Sequence, residues 1–110
     1  MRYVFDIDGT VCTRTFGDYE HAEPYVERIE HVNSLYDEGH EIVFMTARGM
    51  GRHKGNAELA RRDLYDFTHK QLIEWGAKFH SLVLGKPDGD LFVDDKGIHC
   101  DRFFGDEKNS

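Results

Sequence analysis

Residues 3–12 read YVFDIDGTVC: three aromatic or β-branched residues run into two aspartates one residue apart, and a glycine and a threonine then break the run. Aromatic and β-branched residues suit a pleated, half-buried surface, so residues 2–7 (RYVFDI) are expected as a β-strand. That strand would deliver Asp6 and Asp8 to its end. Two like charges converging there need an opposing charge nearby.

Working outward, Ala22, Tyr25, Ile29, Val32 and Tyr36 recur at helical spacing, with Pro24 where a first helical turn tolerates it and Gly39 at the end. EIVFMT (41–46) is an apolar strand. A second helix is expected from Asn56 as its N-cap, with Ala57, Ala60, Leu64, Phe67, Leu72 and Trp75 as its apolar face and Gly76 closing it. SLVL (81–84) and LFVD (91–94) are further strands. This alternation implies right-handed crossovers and a mainly parallel sheet covered by helices. The continuous apolar character of 42–45 and 82–84 suits strands buried on both faces. The expected fold is α/β, a Rossmann-like doubly wound sheet forming a single domain over residues 1–110, with no repeat, linker or low-complexity tract.

Composition bounds the function. A chain of 110 residues, 39% hydrophobic and 13% aromatic, buries about 65% of its unfolded surface and fills a core without disulfides or a structural metal. Cys12 and Cys100 are expected as two reduced thiols, a single bridge being the alternative. No run approaches ~20 apolar residues, and Met1-Arg2 leads directly into a strand. Neither a membrane span nor a signal peptide is therefore expected, and a cytoplasmic location follows. The formal charge of −7 argues against nucleic acid and anionic membranes as partners. It leaves room for a small anionic substrate, because local charge in a pocket can oppose the total.

In parallel α/β sheets, ligands bind beyond the carboxyl ends of the strands. The first strand leads to Asp6, Asp8, Gly9 and Thr10, and the second to Thr46, Ala47 and Arg48. After the third come Gly85, Lys86 and Pro87, and the fourth ends in Asp94 and Asp95. Asp6 and Asp94 converging without a counter-ion would repel or hold a proton. A hard divalent cation resolves this, and an all-oxygen site with few protein ligands suits Mg²⁺. Lys86 and Thr46 would add positive charge and a donor opposite the metal, making a cradle for a phosphoryl group. Gly9 and Thr10 are expected to turn the backbone sharply so that its N–H groups face the same anion.

DIDGT (6–10), MTAR (45–48), GKPDGD (85–90) and VDD (93–95) together resemble the four motifs of the haloacid dehalogenase-like (HAD) phosphohydrolase superfamily, in order and across nearly the whole chain. The resemblance implies that Asp6 is a nucleophile forming an aspartyl phosphate, and that Asp8 is the acid that protonates the leaving alcohol and then the base that activates water. It implies that Thr46 orients the phosphoryl oxygens and that Lys86 offsets the charge of nucleophile and phosphate. Mg²⁺ would be held by Asp6, the Asp8 carbonyl, Asp94 and, directly or through water, Asp95. Superfamily members with caps insert a domain after the first motif or between the second and third. Here the first gap holds only a small flap at 11–20, and the second is used by one loop, helix and strand. A capless enzyme is implied, with a homo-oligomer (dimer or tetramer) covering the pocket. The compact length and FMTARGM look similar to small phosphatases of capsular polysaccharide gene clusters.

The 47–56 loop, ARGMGRHKGN, gathers Arg48, Arg52, His53 and Lys54 in an otherwise acidic chain. One or more of these, Arg48 first, would bind the substrate's phosphate or an anionic leaving group; the alternative is a solvated loop. The seven histidines show no i, i+4 pair of a zinc motif, and most are expected at the surface. Cys100 is expected as a packed thiol, and the GDEKNS tail as a frayed end. The expected function is hydrolysis of a small phosphorylated metabolite such as a sugar phosphate, transfer to another acceptor being open. The alternatives are a phosphorylatable receiver and a non-catalytic scaffold. Receivers, however, carry the phosphorylated aspartate on the third strand, where this chain has Gly-Lys.

Overall fold

The computed structural model describes residues 1–15, 17–48, 57–84, 91–94 and 98–105, with the main chain alone at 57–63, 84, 91–92, 94 and 98–101. Strands β1 (Arg2–Asp6), β2 (Glu41–Thr46), β3 (Ser81–Leu84), β4 (Leu91–Asp94) and β5 (Ile98–His99) form one sheet in the order β3-β2-β1-β4-β5. Every pairing is parallel. Helix α1 (Val26–Asp37) joins β1 to β2, α2 (Ala57–Glu74) joins β2 to β3, and the short α3 (Cys100–Phe103) follows β5. The fold is thus α/β on a parallel sheet.

Alternation along the strands sorts side chains onto two faces. Phe5, Ile42, Phe44 and Leu82 join Ile29, Val32 and Leu35 of α1 and Leu72 of α2 in one buried cluster. Val4, Val43 and Met45 form a second, with Val83 against it. The central strands are therefore buried on both faces, as their unbroken apolar runs require. Two successive right-handed crossovers in the direction β1-β2-β3 put both helices on one face. Among the described residues no helix contributes to the second cluster, so helical cover is described on one face only.

Local chemistry moves several expected boundaries. β1 stops at Asp6 rather than residue 7, because the Ile7 carbonyl accepts from the N–H groups of both Thr10 (3.1 Å) and Val11 (3.0 Å), making a single helical turn. Pro24 is not in the first turn of α1. It pairs with Cys12 in an antiparallel bridge, and Tyr25 is the N-cap. On α2, Leu72 is fully buried but Phe67 is 37% exposed, whereas Thr68 and Gln71 are buried. Leu72 and Trp75 of the expected stripe do pack against the core, and Phe67 alone among its described members is exposed, for a reason that lies in the site below. The helix stops at Glu74, and the turn after it passes through Gly76, whose φ of 79° only glycine adopts cheaply. There the Ala77 N–H reaches back to the Leu72 carbonyl (3.0 Å). Asn33 of α1 clasps this corner, donating to the Gly76 carbonyl (2.8 Å) and accepting from the Lys78 N–H (2.7 Å). The expected N-cap Asn56 and the GDEKNS tail beyond Gly105 lie outside the described residues.

Candidate active site

Strand order reverses at β1: β2 pairs on one side of it and β4 on the other. This is the switch point at which parallel sheets open a crevice at their carboxyl ends. Register sets what meets there. Asp6 is level with Met45, one residue before Thr46, and Phe5 is level with Val93, one residue before Asp94. The main chain therefore places Asp6, Thr46 and Asp94 at one edge of the sheet. Lys86 and Asp95 lie outside the described residues, as do Arg52, His53 and Lys54.

Asp6 is half-buried and its Oδ1 accepts the Ile7 N–H at 2.9 Å. Thr46 is buried, and its Oγ1 accepts the Arg48 N–H at 3.0 Å, so the hydroxyl braces the turn after β2. A hydroxyl that accepts in this way keeps its own proton to donate. Ala47 is exposed at the same turn. Gly9 and Thr10 differ from expectation. The Gly9 N–H donates to the Cys12 carbonyl (2.8 Å) and the Thr10 N–H to Ile7, so both hold the loop's own turn rather than facing an anion. Gly9 has φ 83°, the left-handed region that favours glycine, and a Cβ there would make the Arg14 side chain shift from 2.5 Å.

The larger correction concerns Arg48, expected to reach toward substrate. It is among the most deeply buried side chains, and protein groups take all five of its N–H donors. Nε donates to Asp8 Oδ2 (3.0 Å), and Nη2 to Asp8 Oδ1 (2.9 Å) and Cys12 Sγ (3.9 Å). Nη1 donates to Gln71 Oε1 (2.7 Å) and Thr68 Oγ1 (3.3 Å). The guanidinium lies 4.7 Å from the Tyr19 ring centroid, and Gln71 Nε2 donates to the Tyr19 carbonyl (2.8 Å). A buried cation needs such partners, which is why Thr68 and Gln71 occupy the inner face of α2. Sequence reasoning missed Tyr19, Thr68 and Gln71. The only signal was a threonine and a glutamine three apart on an amphipathic helix, where polar residues usually face water.

Cys12 is a free, buried thiol whose pKa is pushed up to about 12 by burial first and then by the Asp8 charge, against the pull of Arg48. Its Sγ lies 3.6 Å from Asp8 Oδ1 and from the Ile7 carbonyl. The chain between β1 and α1 closes on itself through the Thr13 N–H to the Glu23 carbonyl (2.9 Å) and the Glu23 N–H to Thr13 Oγ1 (3.0 Å). It carries the 3-10 turn Tyr19–His21 at its far end.

Beside Gly9 opens a cleft of about 400 Å³, walled by Tyr25, Arg28, His31 and Phe104. Arg28 stands between the Tyr25 and Phe104 rings (5.2 and 5.1 Å) and donates to the Thr10 carbonyl at 2.9 Å. Elsewhere, Asp18, Glu20 and His21 lie close enough to share a cation, but all three are exposed, and such acidic groups are common without an ion. Asp18 accepts from His21 Nδ1 at 2.8 Å and raises that histidine's pKa through the hydrogen bond and its charge.

No family model matches the chain, and no curated protein is significantly similar to it. Among solved structures, a structural-genomics target from Vibrio cholerae is similar over 100% of both chains, with a TM-score of 0.79 and 25% identity. Its description states no activity, so what it supports is the fold, shared from end to end.

Proposed function

We propose that this chain is a capless phosphohydrolase of the HAD-like superfamily, a Mg²⁺-dependent phosphatase acting on a small phosphomonoester such as a sugar phosphate. The observation that carries this reading is the shared edge: Asp6 at the end of β1, Thr46 at the end of β2 and Asp94 at the end of β4, around the point where strand order reverses. Singly, on separate strands, each of the three would be unremarkable; together they are the oxygen donors and hydroxyl that phosphoryl transfer uses. The strand order and the small closed excursion in place of a cap domain are in keeping with it.

The donor set fits the metal. Asp6 and Asp94, on neighbouring strands, with the Asp8 carbonyl and Asp95 would hold Mg²⁺ through oxygen alone. When bound, Mg²⁺ supplies positive charge that offsets the carboxylates and the phosphate. In the first step an Asp6 carboxylate oxygen forms a bond to phosphorus while the bond from phosphorus to the leaving oxygen breaks. The electron pair stays on that oxygen, which takes a proton from Asp8. In the second, water attacks phosphorus, Asp8 takes its proton, and the acyl phosphate bond breaks to return the Asp6 carboxylate and inorganic phosphate. Thr46 donates to a phosphoryl oxygen, and Lys86 adds charge. The organic part of the substrate would lie in the cleft beside Gly9, whose size and mixed aromatic and charged walls suit a polar metabolite. A homo-oligomer would complete the cover of the pocket.

The test is hydrolysis of para-nitrophenyl phosphate and a panel of sugar and alkyl phosphates with Mg²⁺ and with chelator, by the wild type and Asp6→Asn. Turnover that needs Mg²⁺ and falls in the variant is expected. No turnover on any phosphomonoester, or turnover indifferent to Asp6, would overturn it.

A further inference from the structure

We infer that Arg48 is the positioning residue for Asp8, a role that rests on the phosphatase reading above but is distinct from substrate binding. The geometry is specific. A planar guanidinium grips both carboxylate oxygens, at 3.0 and 2.9 Å, and so fixes the plane of the carboxylate as well as its place. The grip is itself held by Gln71 and Thr68 of α2 and by the Tyr19 ring. With every donor engaged and the side chain 0% exposed, Arg48 has nothing left to offer a phosphate, while Asp8 keeps 26% of its side chain exposed.

The hydrogen bonds also divide the two oxygens of Asp8. Oδ1 accepts from Arg48 and lies beside the Cys12 thiol, whereas Oδ2 accepts from Arg48 Nε. Each carboxylate oxygen has two lone pairs. Oδ2 therefore retains one for the proton that passes to the leaving oxygen and later comes from water. Arg48 thus fixes the plane of the acid while leaving Oδ2 a lone pair for the proton. Tyr19, on the excursion beyond β1, and α2 are joined to the acid through the same side chain.

A residue that acts through the acid reveals itself by its dependence on the leaving group. Para-nitrophenolate departs without a proton, whereas an alkoxide needs one. Measured as kcat/KM, which reports the steps up to the first irreversible one, Arg48→Gln should lose about 10²-fold on an alkyl phosphate and less than about 3-fold on para-nitrophenyl phosphate. Arg48→Lys, which keeps the charge without the fork, should fall between Arg48→Gln and the wild type on the alkyl phosphate. Gln71→Leu removes the 2.7 Å acceptor without touching Asp8 and should show the same selectivity in weaker form, which covers the case in which Arg48→Gln does not fold. Adding Arg48→Gln to Asp8→Asn should cost little more on the alkyl phosphate. Equal losses on both substrates in the folded variants would overturn the inference and leave Arg48 a structural residue. A wild type inactive on both would instead overturn the phosphatase reading itself.

Discussion

At the scale of single residues, the centre of this molecule is a buried cation rather than an exposed one. Arg48 out of its network would leave Asp8, Thr68 and Gln71 facing each other across an unfilled space. Arg48→Ala should therefore destabilise the fold by about 2–4 kcal/mol, less than a fully buried pair because Asp8 is partly solvated. Urea unfolding of the variant against the wild type measures it. Cys12 beside the same pair is held as a neutral thiol. With its pKa raised from 9.0 to about 12 in the native state, the native protein binds this proton more tightly than the unfolded chain. The resulting stability is fully present below pH 9 and is lost as pH rises from there toward 12. Iodoacetamide at pH 8 should accordingly leave Cys12 unmodified in the native protein and label it once unfolded, read by mass spectrometry of the peptide carrying it. Rapid native-state labelling would contradict that burial. The MTAR segment signalled an arginine next to the site but not its direction. Which way a side chain turns after a strand depends on partners 20 and 23 residues away on α2, which spacing does not disclose.

Elements were legible where hydrophobic pattern and end signals agree, and less so where polar burial intervenes. The strands at 41–46, 81–84 and 91–94 stand where their apolar runs lie, and α1 and α2 stop two residues before Gly39 and Gly76. On α2, Leu72 and Trp75 face the core as expected, but Phe67 was misplaced and Thr68 and Gln71 missed because they serve Arg48, and no periodicity marks a polar residue as buried. Pro24 was placed in a helix because its fixed φ suits a first turn, but it suits the bridge to Cys12 equally well. β5 and α3, of two and four residues, are too short for any pattern to announce. At this scale Gly76→Ala should cost about 1–2 kcal/mol, since nothing lies within 4 Å of the added Cβ and the penalty is purely the left-handed backbone. Denaturant midpoints compare it with the wild type, and an unchanged midpoint would show that the corner relaxes. Phe5→Ala, which removes a fully buried ring from the strand that carries Asp6, should cost about 3–5 kcal/mol in the same measurement.

For the whole molecule, topology does the chemical work of assembly. A parallel sheet with β1 at its centre gathers residues 6, 46 and 94, far apart in sequence, at one edge without any long-range sequence signal beyond their order. That edge was legible because each motif sits at the end of an apolar run, which only a parallel sheet brings together. Among the described residues no helix is long and apolar enough to cross a membrane. On the proposed reading, the chemical event at this edge is a phosphoryl group resting on Asp6. Rapid acid quench after mixing with para-nitrophenyl phosphate and Mg²⁺, followed by peptide mass spectrometry, looks for it directly. The expected result is a hydroxylamine-labile phosphate on the peptide containing Asp6, absent in Asp6→Asn. Turnover with no such adduct, or with the phosphate on another residue, would contradict the proposed mechanism.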